Sequence, residues 1–227
     1  MDQALIDRIK SVGFWRVNIR PMGDPSRVLD LAECRRLVDR NQISLRGWNY
    51  PHVSRVDNHG GDENMGDFVQ NWTEWYQHVE FWRMYRSGQF LHYKALREDL
   101  MELDEKPEAK VLGTGTSIFT MTEIVEFAFR LRAAGLYERG MDIAVVIGNT
   151  SGRQLWIDDP GRMGFSYPRQ THAESIKLER RIDQAGLEVE PREIALGMIV
   201  ELFDQFDWTP NEDQIRADQI KLYNLRF

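Results

Sequence analysis

Two short stretches concentrate the side chains that could hold a ligand. The first spans residues 80–96, where runs of strand-forming residues flank Ser87-Gly88 and carry Arg83, Tyr85, Phe90, His92 and Lys94. A two-residue turn at Ser87-Gly88 predicts a hairpin pairing Tyr85 with Phe90, Met84 with Leu91, Arg83 with His92 and Trp82 with Tyr93. Alternation then gives Trp82, Met84, Leu91 and Tyr93 to the core and Arg83, Tyr85, Phe90, His92 and Lys94 to the opposite face. Cations beside flat rings suit an anionic, stackable ligand. The plainer reading is an ordinary cross-strand aromatic pair covered by long basic stems.

The second stretch is Leu45-Arg46-Gly47-Trp48-Asn49-Tyr50-Pro51-His52. Strand parity puts Arg46, Trp48 and Tyr50 on one side, with Gly47 and Pro51 as punctuation. The alternative is a glycine kink whose Trp48 plugs the core. Both constellations could serve one surface, which requires Arg46, Arg83 and His92 to converge on it.

Other chemical patterns are weaker. Gly113-Thr114-Gly115-Thr116-Ser117 lacks the lysine of a phosphate loop and the spacing of a dinucleotide site, and the next helix is expected only from Thr120. The five histidines form no HxH or HxxxH pair, so zinc has no local nucleus. Strand parity leaves His78 and Glu80 near His92 as a thin two-histidine, one-carboxylate grouping. Lys177, Glu179, Asp142 and Glu123 or Glu126 are of the types that hold a divalent cation in a nuclease, although nothing in their spacing requires convergence. Cys34 lies in a helical apolar stripe, where a buried thiol is inert. No catalytic residue, metal or cofactor is assigned.

The elements that must position these residues follow from periodicity and punctuation. A strand is expected over 14–20, a helix over 28–41 capped by Asp24-Pro25-Ser26, a strand over 43–53 and a loop over 57–67. After the hairpin come a short acidic helix fading into a linker by residue 110 and a strand over 111–120. A capping box, Thr120-x-x-Glu123, then opens a helix. Strands over 141–147 and 154–157 read as a hairpin, and 160–168 as a loop. Another strand follows over 175–182, then helices from Pro191 and from 209–212 to near Asn224. Without strict alternation of strands and helices, the class is α+β: a mixed or antiparallel sheet with an aromatic-rich hairpin, packed by about four helices. Residues 1–227 read as a single domain with a subdomain boundary near 104–110.

Composition bounds the function. The chain has 227 residues, 42% hydrophobic and 29% charged, as in a folded globular protein. Its net charge of −7 argues against wholesale wrapping of nucleic acid or of an anionic membrane. The total hides structure: residues 1–56 and 81–97 are each +4, while 57–80 hold six acidic side chains and no basic one. Any anion-binding role is therefore local. A single cysteine excludes an internal disulfide and points to a reducing cytoplasm, and neither a signal peptide nor a run of ~18 apolar residues is evident.

Arg46-Gly47-Trp48-Asn49-Tyr50-Pro51, the run from Trp82 to Phe90, Thr122-Glu123-Ile124 and Glu126-Phe127-Ala128 resemble a group of uncharacterised bacterial proteins. That resemblance covers most of the chain and implies a bacterial protein without implying an activity. Asn149-Thr150-Ser151-Gly152-Arg153-Gln154-Leu155 is faintly similar to the Asn-Thr-x-Gly-Gly-x-Leu segment of Schlafen-type AlbA-like domains. It departs from them at Arg153 and in the strand-like run that precedes it. The expectation is a non-enzymatic cytoplasmic binding or regulatory protein that recognises a protein partner or an anionic ligand through its aromatic and basic sheet face. A nucleic-acid-associated protein and a metal-dependent hydrolase are the alternatives.

Overall fold

The computed structural model describes residues 1, 3–23, 28–55, 59–101 and 106–224. Seven strands form one antiparallel sheet: β1 (Phe14–Pro21), β2 (Gly60–Asn64), β3 (Phe68–Trp75), β4 (His78–Tyr85), β5 (Phe90–Ala95), β7 (Met141–Gly148) and β9 (Ser175–Ile182). Their spatial order is β2-β3-β4-β5-β1-β7-β9. Two short strands, β6 (Val111–Gly113) and β8 (Gln154–Trp156), pair in parallel outside it. The helices are α1 (Gln3–Ser11), α2 (Leu31–Asn41), α3 (Arg97–Leu100), α4 (Thr114–Ala133), α5 (Pro191–Asp204) and α6 (Glu212–Asn224). The class is α+β.

The sheet has two unequal faces. Trp15, Val17 and Ile19 of β1, Trp82 and Met84 of β4 and the alternate residues of β7 and β9 join α2, α4 and α5 in the main core. On the opposite face α1 packs Leu5 and Ile9 against Phe81, Tyr93 and Trp72, a smaller second cluster. The rest of that face carries Arg16, Arg20, Lys177 and Arg181 toward solvent. Strands before and after the expected boundary share the one sheet; residues 102–105, within the acidic stretch where that boundary was placed, lie outside the described residues.

Several local readings need correction, each for a long-range reason. The hairpin is out of the expected register by one residue: Met84 faces Phe90, Arg83 faces Leu91 and Trp82 faces His92. Gly88 has a φ of +83°, and the Tyr85 amide bonds the Gln89 carbonyl, so the connection is a three-residue loop with glycine in the left-handed position. A one-residue slip sends each side chain of the shifted strand to the other face.

The expected strand over 111–120 stops at Gly113, and α4 starts at Thr114. Its cap is not Thr120 but the distant Asp158, whose carboxylate accepts from the amides of Gly115 and Thr116 at 2.6 and 2.9 Å. Residues 43–53 make only the isolated bridge Ile43↔Tyr50 rather than a strand. Conversely, part of the expected loop over 57–67 is β2, because the free edge of β3 supplies partners and Gly61 leaves room for the Trp72 ring. Residues 141–147 and 154–157 belong to different sheets and form no hairpin. The side chain of Asp30 caps α2; the expected cap at Asp24-Pro25-Ser26 lies outside the described residues.

Candidate functional site

The loop at 44–49 is closed by the mutual backbone bonds of Ile43 and Tyr50, at 2.7 and 2.9 Å, and turns at Gly47 with a φ of +78°. It projects Arg46 and Trp48 toward α4 and β4. Arg46 grips buried Glu123 with Nε and Nη2 at 3.0 and 2.6 Å, and Nη2 also donates to Thr120 Oγ1 at 3.0 Å. Thr120 and Glu123 thus anchor the loop rather than start the helix.

Trp48 is held on both ring faces and at its N–H. His52 and His78 stack on it at centroid distances of 3.8 and 3.6 Å with interplanar angles of 18° and 8°. Two nearly parallel rings this close must occupy opposite faces of the indole. The indole Nε1 donates to Glu80 Oε1 at 2.8 Å. Behind the stack, His92 Nε2 lies 2.8 Å from Glu80 Oε2 and His92 Nδ1 3.3 Å from the Tyr50 hydroxyl.

The protonation states of this chain follow from its surroundings. Burial favours a neutral Glu80, but Lys94, the His92 and Trp48 donors outweigh it and hold the carboxyl well below its ordinary range. Burial lowers His92 against the pull of Glu80, and burial raises Tyr50. A neutral His92 therefore donates Nε2–H to the Glu80 carboxylate and accepts the Tyr50 hydroxyl proton at Nδ1. Burial, then Lys94, lowers His78 to about 4, so it too is neutral at pH 7.

Beside this stack is a cleft of about 270 Å³ between the 44–49 loop, β5, α3 and the first turns of α4. Arg46, Lys94 and Arg97 line it from three different elements, with His78, Trp15 and Glu98 completing its walls. The other side of the three-ring stack borders a separate cavity of about 260 Å³ lined by His52, His59 and Trp75. Among the described residues neither Lys94 nor Arg97 makes an ion pair. Of the three cations, Arg46 is committed to Glu123 and Lys94 lies across the strand pair from the ionised Glu80.

Glu98 is 1% exposed and its Oε1 accepts from the Gly113 amide at 3.1 Å. Burial pushes its carboxyl up, with Asp158 adding to the effect and the amide of Gly113 and Arg97 opposing it. Glu98 Oε2 and Arg97 Nε are buried with no hydrogen-bond partner. An unsatisfied buried group costs about 1–3 kcal/mol, more when charged, and such atoms are rare in native folds.

The residues singled out from sequence are therefore divided. Arg46, Trp48 and Lys94 border the cleft. His92 is sealed behind it, and Phe90 is core, 4.8 Å from the Phe127 ring. Arg83 and Tyr85 are on the other face of the sheet, where Arg83 bonds Gln70 at 3.1 Å and lies over the rings of Phe68 and Phe81. The convergence of Arg46, Arg83 and His92 on one concave surface does not occur. Nor do the carboxylates weighed for a nuclease come together: Asp142 and Glu179 face the open side of the sheet and Glu123 the core. Both oxygens of Glu80 and both nitrogens of His92 are engaged, and among the described residues no group of three or more His, Cys, Asp and Glu could hold a metal ion.

Sequence reasoning missed Arg97, Glu98 and Trp15 as lining residues and Asp158 as the helix cap. The available signal was the alternation of β1 and β5, which places Trp15 beside Lys94 once those strands are paired. No local pattern joins α3 to α4. No known protein family, curated protein or solved structure matches the chain.

Proposed function

We propose that this protein is a binding protein for a small ligand bearing an oxyanion, held in the cleft between the 44–49 loop and α3. The observation that carries this reading is the approach of Arg46, Lys94 and Arg97 to one cavity in a chain of net charge −7, with Lys94 and Arg97 in no ion pair among the described residues. Arg46 is pinned by Glu123 and shapes the wall, while Lys94 and Arg97 are the cations available to a ligand. The exposed side of the His78 ring and the apolar body of Trp15 suit a planar group attached to the anion. Among the described residues no group of three or more His, Cys, Asp and Glu that could hold a metal ion accompanies them.

Calorimetric titration of the full chain with benzoate and phenyl phosphate tests it. Loss of one charge-assisted contact, worth about 1.5–3 kcal/mol, should weaken binding by about 10- to 100-fold in Lys94→Ala and Arg97→Ala. Arg83→Ala, on the far face of the sheet, should bind as the unaltered protein does. Absence of binding, or equal weakening by Arg83→Ala, would refute the assignment.

A further inference from the structure

The open face of the sheet, on the far side from the cleft, carries its charges in an ordered array. Register fixes the rows across β1, β7 and β9: Arg16–Val146–Lys177, Asn18–Ala144–Glu179 and Arg20–Asp142–Arg181, with Phe14–Gly148–Ser175 at one end. Three of the four β7 positions hold small or apolar residues, and long cations stand on both neighbouring strands. The result is a trough floored by Gly148, Val146 and Ala144 between a rail of Arg16 and Arg20 and a rail of Lys177 and Arg181. Cations on one rail are about 14 Å apart, four residues of strand, and the rails are about 10 Å apart, two strand spacings. All four cations are exposed, while Val17, Ile19 and Leu178 at alternate positions are core.

At the Phe14 end, Lys10 of α1 joins Arg16 and Lys177 around a groove of about 470 Å³. The carboxylates beside these five cations are Asp142, Glu174 and Glu179. Lys177 lies 2.9 Å from Glu179 and Arg20 lies 3.9 Å from Asp142, solvated pairs of the kind worth little in water. Lys10, Arg16 and Arg181 make no ion pair among the described residues.

The same end holds an aromatic ladder. Phe81, Tyr93 and Phe14 stack in sequence, with centroids 5.0 and 6.0 Å apart and interplanar angles of 10° and 24°, running out from under α1. The last ring, partly exposed, lies across Gly148, where a Cβ would collide with it. Lys10 Nζ is 5.8 Å from the centroid of Tyr93. Cations along the sides and a ring at the end match a single strand of nucleic acid, its phosphates on the rails and a base against Phe14. A duplex keeps its bases in the stack and has none to offer the ring. None of the large exposed hydrophobic residues among those described lies on β1, β7 or β9, so this face has no apolar wedge to sink into a membrane.

We propose that the open face of β1, β7 and β9 binds single-stranded nucleic acid along the trough, with Arg16 and Arg181 holding phosphates and Phe14 stacking a base. The trough is as long as β7, eight residues or about 27 Å. It is separate from the oxyanion cleft and does not depend on it.

Fluorescence anisotropy of an end-labelled oligothymidylate of about 16 nucleotides, titrated with the full chain, tests the proposal. With about four phosphates neutralised, affinity should fall about sevenfold for each doubling of salt. Arg16→Ala/Arg181→Ala should bind more weakly at low salt and lose only about threefold per doubling. Phe14→Leu, which keeps an apolar contact under α1, should weaken binding by at least about fivefold at fixed salt. Lys94→Ala and Arg97→Ala should bind the oligonucleotide as the unaltered protein does, and Arg16→Ala/Arg181→Ala should leave binding of benzoate unchanged. Absence of binding at about 50 mM salt overturns the proposal. So does equal affinity for a duplex of the same length, or binding lost in Arg97→Ala and kept in Arg16→Ala/Arg181→Ala. Competition by poly-L-glutamate as effective as by unlabelled oligonucleotide would give the face to an acidic protein instead, and capture by phosphatidylglycerol vesicles without oligonucleotide binding would give it to a membrane. Should Phe14→Leu not fold, the exposed-arginine variant and the salt dependence decide.

Discussion

Replacing Glu80 by alanine removes the acceptor on which the wall of the cleft depends. Trp48 Nε1–H and His92 Nε2–H would each be left buried without a partner, at about 1–3 kcal/mol apiece. Lys94 would lose its nearest compensating charge. Together these give an expected loss of about 2–6 kcal/mol, twice the cost of one orphaned buried donor. Against a total stability of about 5–15 kcal/mol that is a large fraction. Urea denaturation at pH 7 should show a lower midpoint with an unchanged slope.

The pH profile supplies a second readout with a definite sign. The Glu80 carboxyl is depressed in the folded state, so its contribution is present above the unfolded carboxylate value of about 4.3 and is lost as pH falls below it. His78 and His92 are also depressed, so the unfolded chain takes up protons first, and stability falls from about pH 6.5 downward, for His78 until about 4. Glu80→Ala should keep the upper decline and lose much of the lower one. A loss under about 1 kcal/mol, with both declines unchanged, would refute the assignment of Glu80 as the support of Trp48 and His92.

Two further substitutions test the parts of the fold that frame the cleft. Asp158→Ala strips the cap from α4 and should cost about 1–2 kcal/mol, with faster hydrogen exchange at Gly115 and Thr116 and little change in the sheet. Gly88→Ala meets open space beside Leu136 but imposes a side chain at a φ of +83°, so it should cost about 1–2 kcal/mol by thermal denaturation. A neutral Gly88→Ala would mean that the three-residue hairpin loop, and the register built on it, is not the one adopted.

Much of the fold was legible because it rested on period and punctuation. β1, β7, β9, α5 and α6 all begin or end within a residue or two of the sequence signal, since alternation in strands and Pro or Asn-Glu starts in helices are local properties. The hairpin shows where local reading stops. Ser87-Gly88 correctly marked a turn, yet whether two or three residues form it was invisible, and that single residue decided the faces of Arg83 and Tyr85 relative to Phe90, His92 and Lys94. The start of α4 was misread for a related reason. Its cap, Asp158, lies 42 residues beyond Thr116 in the chain, while the capping-box residues Thr120 and Glu123 serve Arg46 instead.

The candidate site was half visible. Arg46, Trp48 and Lys94 were singled out by residue type, and the aromatic–cationic argument that selected them applies to the cleft they border. The partners that make the cleft, Arg97 and Glu98, fall between the end of the expected hairpin and the acidic stretch from Leu100, where no element was expected. Their significance comes from burial beside Gly113 and Asp158, which only the folded chain supplies.

The central claim is that an oxyanion binds beside α3, and the indole N–H resonances of the seven tryptophans can locate it. Trp15 and Trp48 border the cleft, whereas Trp72 packs under α1 on the far face of the sheet beside Phe81. Titration of the full chain with benzoate, followed by proton–nitrogen correlation spectra, should move the Trp15 and Trp48 indole signals in a saturable manner and leave Trp72 in place. A saturable shift at Trp72 with Trp15 and Trp48 unmoved, or no saturable shift at any indole, would contradict the account.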